Sequence, residues 1–195
     1  MVRIPPPDSN LIERREILDQ AGIARALRRM AYEMIERNAD SHRPLYLVGV
    51  RTGGAFLAQR LVALMSDPKE SHAGPTPLLG AVDITLYRDD VFHGLPKPEI
   101  GPTELPSGIE GQTIILVDDV LYTGRTIRAA MDVLADYGRP RSVQLAALVD
   151  RGRRELPIQP DYVGIEVQTT ASESVRVMLK ERGEPDRVVL RERRS

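Results

Sequence analysis

Apolar and polar positions along the chain alternate between a helical and a strand period. From Asp19 to about Arg37, Ile23, Leu27, Met30, Met34 and Ile35 fall on one stripe at helical spacing, and Asp19 is placed to cap that helix. Leu45 to Val50 (LYLVGV) is a continuous apolar run and predicts a buried strand. Gly53 and Gly54 predict a turn, and Ala55 to Met65 a returning helix. Pro68, Gly74, Pro75 and Pro77 make residues 66–77 a loop. Val82 to Tyr87 alternates like a strand. Thr113 to Asp118 and Ser142 to Val149 are further apolar strands. Between them lies a helix over 126–137 with Ile127, Ala130, Met131 and Leu134 inward, stopped by Gly138 and Pro140. Tyr162 to Val167, Val175 to Leu179 and Val188 to Leu190 read as shorter strands.

Buried strands alternating with helices predict an α/β fold: a mostly doubly wound parallel sheet with helices on both faces. A small hood is expected from the N-terminal and post-150 segments. Residues 1–18, with the Pro5-Pro6-Pro7 run and mixed charge, read as an extended or frayed arm, and residues 19–195 as a single domain. The segment 88–112, rich in proline and glycine, is a long loop of the kind that usually carries function. Sheets of this type bind ligands at the carboxyl ends of their strands.

Composition narrows the chemistry. The 195 residues include no cysteine, which removes disulfides, thiolate metal sites and a cysteine nucleophile. His42, His72 and His93 have no zinc-like spacing. With no tryptophan and only Phe56 and Phe92, the core must be built from Leu, Ile, Val, Ala and Met. The formal charge of −1 means that any nucleic-acid binding must come from a local basic patch. No apolar run approaches the roughly 20 residues that span a bilayer, and the N-terminus lacks an apolar signal core, so a cytoplasmic location is expected.

The most informative segment follows the strand at 113–118. Asp118 and Asp119 come at once, then Tyr122 and Thr123-Gly124-Arg125-Thr126, where a helix begins. Adjacent carboxylates repel each other and cost desolvation. They are tolerable where sugar hydroxyls or a hydrated Mg²⁺ satisfy them. The Thr-Gly turn leads into a helix N-terminus, whose N–H groups and dipole favour an anion. A diol binder followed by a phosphate cradle describes a ribose 5-phosphate site. An acidic strand end with an ordinary cap is the plainer alternative. There is no P-loop and no G-x-G-x-x-G fingerprint.

IILVDDVLYTGRT (114–126) resembles the phosphoribosyl pyrophosphate signature of type I phosphoribosyltransferases. MAYEMIERN (30–38), DITLYRDD (83–90), GRP (138–140) and QLAALVDRGRRELPI (144–158) extend the likeness to the family that joins pyrimidine-operon regulation to uracil phosphoribosyltransferase activity. The resemblance covers about residues 20–175. It implies transfer of ribosyl 5-phosphate from phosphoribosyl pyrophosphate to uracil, giving UMP and pyrophosphate with Mg²⁺. Asp118 and Asp119 would serve catalysis, ribose hydroxyls and metal. Thr123, Gly124, Arg125 and Thr126 would hold the 5-phosphate, and Arg51, Thr52 and Gly53 would meet the pyrophosphate. Arg88, with Tyr87 and Asp89, would lie on a closing loop. Val149, Asp150, Arg151 and Gly152 would face the base. A homodimer or higher oligomer is implied.

The chain departs from the family where Thr52-Gly53-Gly54 stands for Thr-Arg-Gly, so an arginine on the pyrophosphate side is missing and Arg51 is a candidate substitute. Purine-specific relatives carry an aspartate directly before the Thr-Gly pair, and here that position is Tyr122. The resemblance also implies binding of pyrimidine-operon leader RNA. Arg25, Arg28 and Arg29 share a helix face, and Arg151, Arg153 and Arg154 form a second cluster. Arg139 and Arg141 form a third, and all three are equally readable as solvated surface. A regulator that senses UMP with weak or no catalysis is the alternative to an enzyme.

Overall fold

The computed structural model describes residues 11–41, 43–51, 53–67, 75–84, 103–105 and 108–194. In chain order the elements are β1 (Leu11–Leu18), α1 (Gln20–Arg37), β2 (Tyr46–Val50), α2 (Gly53–Met65), β3 (Leu78–Val82), β4 (Thr113–Leu121), α3 (Arg125–Tyr137), β5 (Ser142–Asp150) and β6 (Tyr162–Glu166). β7 (Glu173–Met178), a 3₁₀ turn (Lys180–Arg182) and β8 (Arg187–Arg193) complete the chain.

β3-β2-β4-β5-β6 form a parallel sheet in that order. The middles of its central strands β2, β4 and β5 are apolar because both faces are covered there. α1 and α2 pack on one face around Leu47, Ile115 and Val117, and α3 packs on the other around Val48, Ile114 and Leu116. This is the expected doubly wound α/β architecture. The strand order runs outward from β2 in one direction and from β4 in the other, so the topological switch lies between β2 and β4.

α1 begins as read: the Asp19 side chain accepts the Gly22 N–H at 2.7 Å. At its other end Arg37 pairs with Asp161 at 2.8 Å, and Asn38, Gln144 and Tyr162 form a hydrogen-bonded triangle beside the buried Tyr162 ring.

β1, β8 and β7 form a separate antiparallel sheet, the hood. Residues 11–18 are therefore a paired strand of the hood rather than part of an extended or frayed arm. Their mixed charge meets complementary charge on β8: Glu13 takes Arg187 in a two-point pair at 2.8 and 3.0 Å, and Arg14 pairs with Glu192.

Other boundaries shift for local reasons. The third strand of the large sheet is Leu78–Val82 rather than Val82–Tyr87; residues 85–87 lie outside the described residues. It is an edge strand with Leu78 and Leu79 exposed, so its sequence carries little alternation. Met131 is exposed, because Ile127, Ala130 and Leu134 fill the inner stripe of α3 together with Ala129 and Val133. α2 starts at Gly53, with the glycines inside the helix rather than in a preceding turn. A Cβ on Gly54 would lie 2.1 Å from the Val117 carbonyl oxygen, and one on Gly49 would lie 2.3 Å from the Ala55 Cα. The missing side chains let the helix press its first turn onto the ends of β2 and β4.

Candidate active site at the sheet switch point

The closest approach of α2 to β4 positions the acidic pair. β4 runs on to Leu121, so Asp118 and Asp119 lie within the strand rather than at its end. Asp119 points to the α2 side: a Cβ on Gly53 would lie 2.1 Å from its Oδ2. Gly53 is thus the residue whose missing side chain makes room for this carboxylate. Asp118 is 6% exposed, and its Oδ1 accepts the Asp119 N–H at 3.0 Å. Burial, reinforced by the neighbouring Asp119 charge, pushes the Asp118 carboxyl well above the usual carboxylate range. Burial also raises Asp119, opposed by the Val120 N–H and by the positive charge of Arg182.

The chain then turns through Tyr122, Thr123 and Gly124. Gly124 has φ 93°, a left-handed conformation that glycine adopts without cost, and it precedes α3 with no side-chain cap. The Arg125 N–H donates to Thr123 Oγ1 at 3.4 Å, and the other first-turn N–H groups of α3 are of the kind that can take an anion. Thr126 is partly buried in that first turn, and Arg125 pairs with Glu155 at 2.9 Å.

A second segment braces this turn. The Glu155 and Leu156 N–H groups both donate to the Thr123 carbonyl, at 3.0 and 3.1 Å. Leu156 and Ile158 lie 3.3–3.4 Å from where a Gly124 Cβ would be. Arg154 donates to the carbonyls of Tyr122 (2.9 Å), Ile158 (2.9 Å) and Gly152 (3.3 Å) and to Asp150 Oδ2 at 2.6 Å. The carboxyl end of β5 and the anion turn are thereby one hydrogen-bonded unit.

Comparison with known proteins agrees with this geometry. A model of the phosphoribosyl transferase domain matches residues 13–182. Bifunctional protein PyrR of Geobacter sulfurreducens is 51% identical over 174 residues, 89% of this chain and 96% of the relative. Its counterpart in Enterococcus faecalis OG1RF is 47% identical over 177 residues, 91% and 96% of the two chains. The chain belongs to the PyrR family of phosphoribosyltransferases.

Among solved structures, a hypoxanthine phosphoribosyltransferase from Staphylococcus aureus superposes with a TM-score of 0.66 at 20% identity, covering 91% of this chain and 92% of the other. A Leishmania tarentolae HGPRT-ase solved with GMP gives 0.67 at 17% identity, covering 91% and 96%. At these identities the likeness is one of fold.

The residues singled out in this phosphoribosyltransferase's sequence have different surroundings. Arg88 and Thr52 lie outside the described residues. Arg51, just past β2, is partly buried; its N–H donates to the Val82 carbonyl at 3.0 Å and its guanidinium stands 3.6 Å from Glu104. Val149 is fully buried in the core on the α1/α2 face, so its side chain cannot meet a base. Asp150 is occupied within the brace, accepting Gly152 N–H (2.9 Å) and Arg154.

Arg151 is 7% exposed, stacks 4.0 Å over the Tyr122 ring, and donates to Thr169 (3.2 Å) and to the Glu173 carbonyl (2.7 Å). Burial lowers its proton affinity, and the Tyr122 hydroxyl opposes that. Arg151 and Arg154 therefore depart from the reading as RNA contacts: their guanidinium groups are spent inside the fold. Arg153 between them is exposed, with φ 59°. On α1, Arg25, Arg28 and Arg29 are exposed, and Arg29 is anchored to the Val163 and Gly164 carbonyls at 2.9 and 2.6 Å.

Arg60 and Arg182 are among the arginines not singled out in the sequence. Arg60 of α2 grips Glu181 (2.8 and 2.6 Å) and Asp186 (2.8 and 2.8 Å) in a double fork. Its burial opposes the charge, but the two carboxylates hold its proton above the ordinary arginine value. This fork docks the 3₁₀ turn of the hood on α2, and that turn carries Arg182. Neither residue lies in a motif, because the partners are more than 100 positions apart in the chain.

Among the described residues no group of three or more His, Cys, Asp or Glu side chains gathers. The available donor set is two buried, mutually repelling carboxylates. That set fits a Mg²⁺ ion that takes its other ligands from water and substrate oxygens, and it does not fit a fully protein-caged metal. No helix among the described residues is long and apolar enough to cross a membrane.

Proposed function

We propose that this phosphoribosyltransferase makes UMP from uracil and phosphoribosyl pyrophosphate, with Mg²⁺, and also regulates pyrimidine genes by binding leader RNA. The observation that carries the first part is the placement of Asp118 and Asp119 at the β2/β4 switch point, directly before a braced anion turn. In the reaction the bond from the ribose C1′ to the pyrophosphate oxygen breaks and a bond from C1′ to uracil N1 forms. The N1 proton leaves and pyrophosphate departs.

Asp118 and Asp119 accept hydrogen bonds from the ribose hydroxyls. The N–H groups of the Thr123–Thr126 turn hold the 5-phosphate, with Arg154 and the Glu155–Leu156 backbone keeping that turn in shape. Bound Mg²⁺ would be held by the same two aspartates and would neutralise charge on the departing pyrophosphate. Arg88 is assigned to the same charge, since a cation aimed at developing negative charge is a large catalytic contribution. Tyr122, stacked under Arg151, stands where an acidic base would serve a purine, which favours uracil.

The relatives' name, bifunctional, supports the second activity. Of the arginines read as RNA contacts, Arg25, Arg28, Arg29 and Arg153 are exposed, on α1 and on the loop after β5. A cytoplasmic homodimer or higher oligomer is part of this reading.

The test is UMP formation from labelled uracil and phosphoribosyl pyrophosphate, with hypoxanthine and guanine as controls. Mg²⁺-dependent UMP formation and no purine nucleotide is the expected result. UMP binding without turnover would replace the enzyme by a nucleotide-sensing regulator, a reading that Gly53 favours because it brings no side chain to the pyrophosphate side. Turnover of a purine would overturn the uracil assignment.

A further inference from the structure

Among the described residues Tyr32, Tyr122 and Tyr137 are the exposed aromatic side chains. Tyr32 lies on α1 and Tyr137 at the end of α3. Tyr122 alone stands at the carboxyl edge of the sheet, between the Asp118–Asp119 pair and the Thr123–Thr126 turn.

One face of the Tyr122 ring is taken. The guanidinium carbon of the buried Arg151 lies 4.0 Å from the ring centroid. Main-chain bonds set this stack: the Arg151 N–H donates to the Leu121 carbonyl at 3.1 Å, directly before Tyr122, and Arg154 donates to the Tyr122 carbonyl at 2.9 Å. The guanidinium is held from the hood as well. Its Nε donates to Thr169 Oγ1 at 3.2 Å and its Nη2 to the Glu173 carbonyl at 2.7 Å. Thr169 returns a bond to the Arg151 carbonyl at 3.3 Å, and the Thr170 N–H donates to the Glu173 carboxylate at 2.7 Å. Arg151 is thus pinned between the ring and the segment that leads into β7. The open area of the ring is its opposite face and edge. An aromatic face is the usual platform for an unpaired nucleobase, which is itself flat. A ring already fixed from behind by a cation loses little freedom when a base covers its front.

We propose that Tyr122 is the platform on which the base of the ligand stacks, and that Arg151 is a positioning residue that holds the ring in place and ties it to the hood. This rests on the uracil phosphoribosyltransferase reading of the site. Arg151 acts on the base through Tyr122 rather than by facing it, and the hood reaches the base site through Thr169 and Glu173.

The test isolates the base by titrating UMP and ribose 5-phosphate, which lacks it, into the full chain and its variants. Tyr122→Leu is expected to weaken UMP about tenfold, the loss of one stacked base, and to change ribose 5-phosphate by less than about twofold. Tyr122→Phe keeps the ring and should hold UMP affinity within about twofold of the parent. Arg151→Lys retains the charge but not the flat fork, and should weaken UMP about threefold in the parent. In the Tyr122→Leu background the same change should have almost no effect on UMP, because no ring is left to hold. Unchanged UMP affinity in Tyr122→Leu overturns the platform, as does equal weakening of ribose 5-phosphate, which would signify a distorted turn. An Arg151→Lys effect of the same size in both backgrounds overturns the positioning role, since a purely structural brace acts with or without the ring. Failure of the unsubstituted protein to bind either ligand would instead overturn the functional reading beneath the proposal.

Discussion

Asp118 sits in the fold as a carboxylate with almost no contact with water. Its proton affinity is raised in the folded state, so its stabilising contribution is complete below the unfolded carboxylate value of about pH 4 and is lost as pH rises through the higher folded value. Asp118→Asn removes that penalty. The ligand-free variant is expected to melt higher than the parent at neutral pH, with an advantage that grows from pH 4 to pH 8 in thermal scans. A lower melting temperature at pH 8 would contradict this burial account.

The glycines of α2 divide in the same way between site and scaffold. Gly54→Ala drives a Cβ into the Val117 carbonyl, a backbone atom that cannot turn aside. It should cost about 2 kcal/mol or more, read as a fall in the denaturation midpoint. Gly53→Ala meets the Asp119 carboxylate, which can rotate. It should change stability little and weaken Mg²⁺-dependent phosphoribosyl pyrophosphate binding in a titration. The acid pair and the Thr-Gly turn were legible in the sequence because strand, carboxylates and turn are contiguous. The reason for Gly53 was not legible, since its partner lies 66 positions away (119 − 53).

At the scale of elements, the segment after β5 is the clearest departure from the sequence reading. VDRGRRELPI carries three arginines and reads as a basic patch. In the fold Arg151 and Arg154 turn inward, and only Arg153 is exposed. Position in the sequence could not distinguish them, because the carbonyls they satisfy belong to the anion turn and to the hood. Arg154→Met is therefore expected to weaken UMP binding severalfold and to lower the melting temperature. Arg153→Ala should leave both unchanged and reduce the salt dependence of RNA binding, read from affinities at several salt concentrations. Arg60 offers the corresponding test for the hood. Arg60→Met strands Glu181 and Asp186 and should destabilise the fold by about 2 kcal/mol.

Across the whole molecule, periodicity was a good guide wherever a strand is covered on both faces. β2, β4 and β5 were each placed within a few residues, because continuous apolar runs have few other homes in a chain of this length. It failed at the margins of the fold. β1 carries four consecutive exposed charges, Glu13 to Glu16, and gains its place by pairing with β8, some 170 positions later. β3 lies at an edge with two exposed leucines and lacked the alternation that would mark it. The doubly wound order then places the β2–α2 connection, the acidic pair of β4 and the α3 turn at one switch point.

That convergence makes one claim central: a single cleft between β2 and β4 holds phosphoribosyl pyrophosphate through Asp119. The most direct measurement is a calorimetric titration of phosphoribosyl pyrophosphate, with and without Mg²⁺, into the parent protein and Asp119→Asn, alongside a thermal melt of each. The account expects Mg²⁺-dependent binding by the parent, binding weaker by about tenfold or more in the variant, and a melting temperature that does not fall. Equal affinity in the two proteins would contradict it.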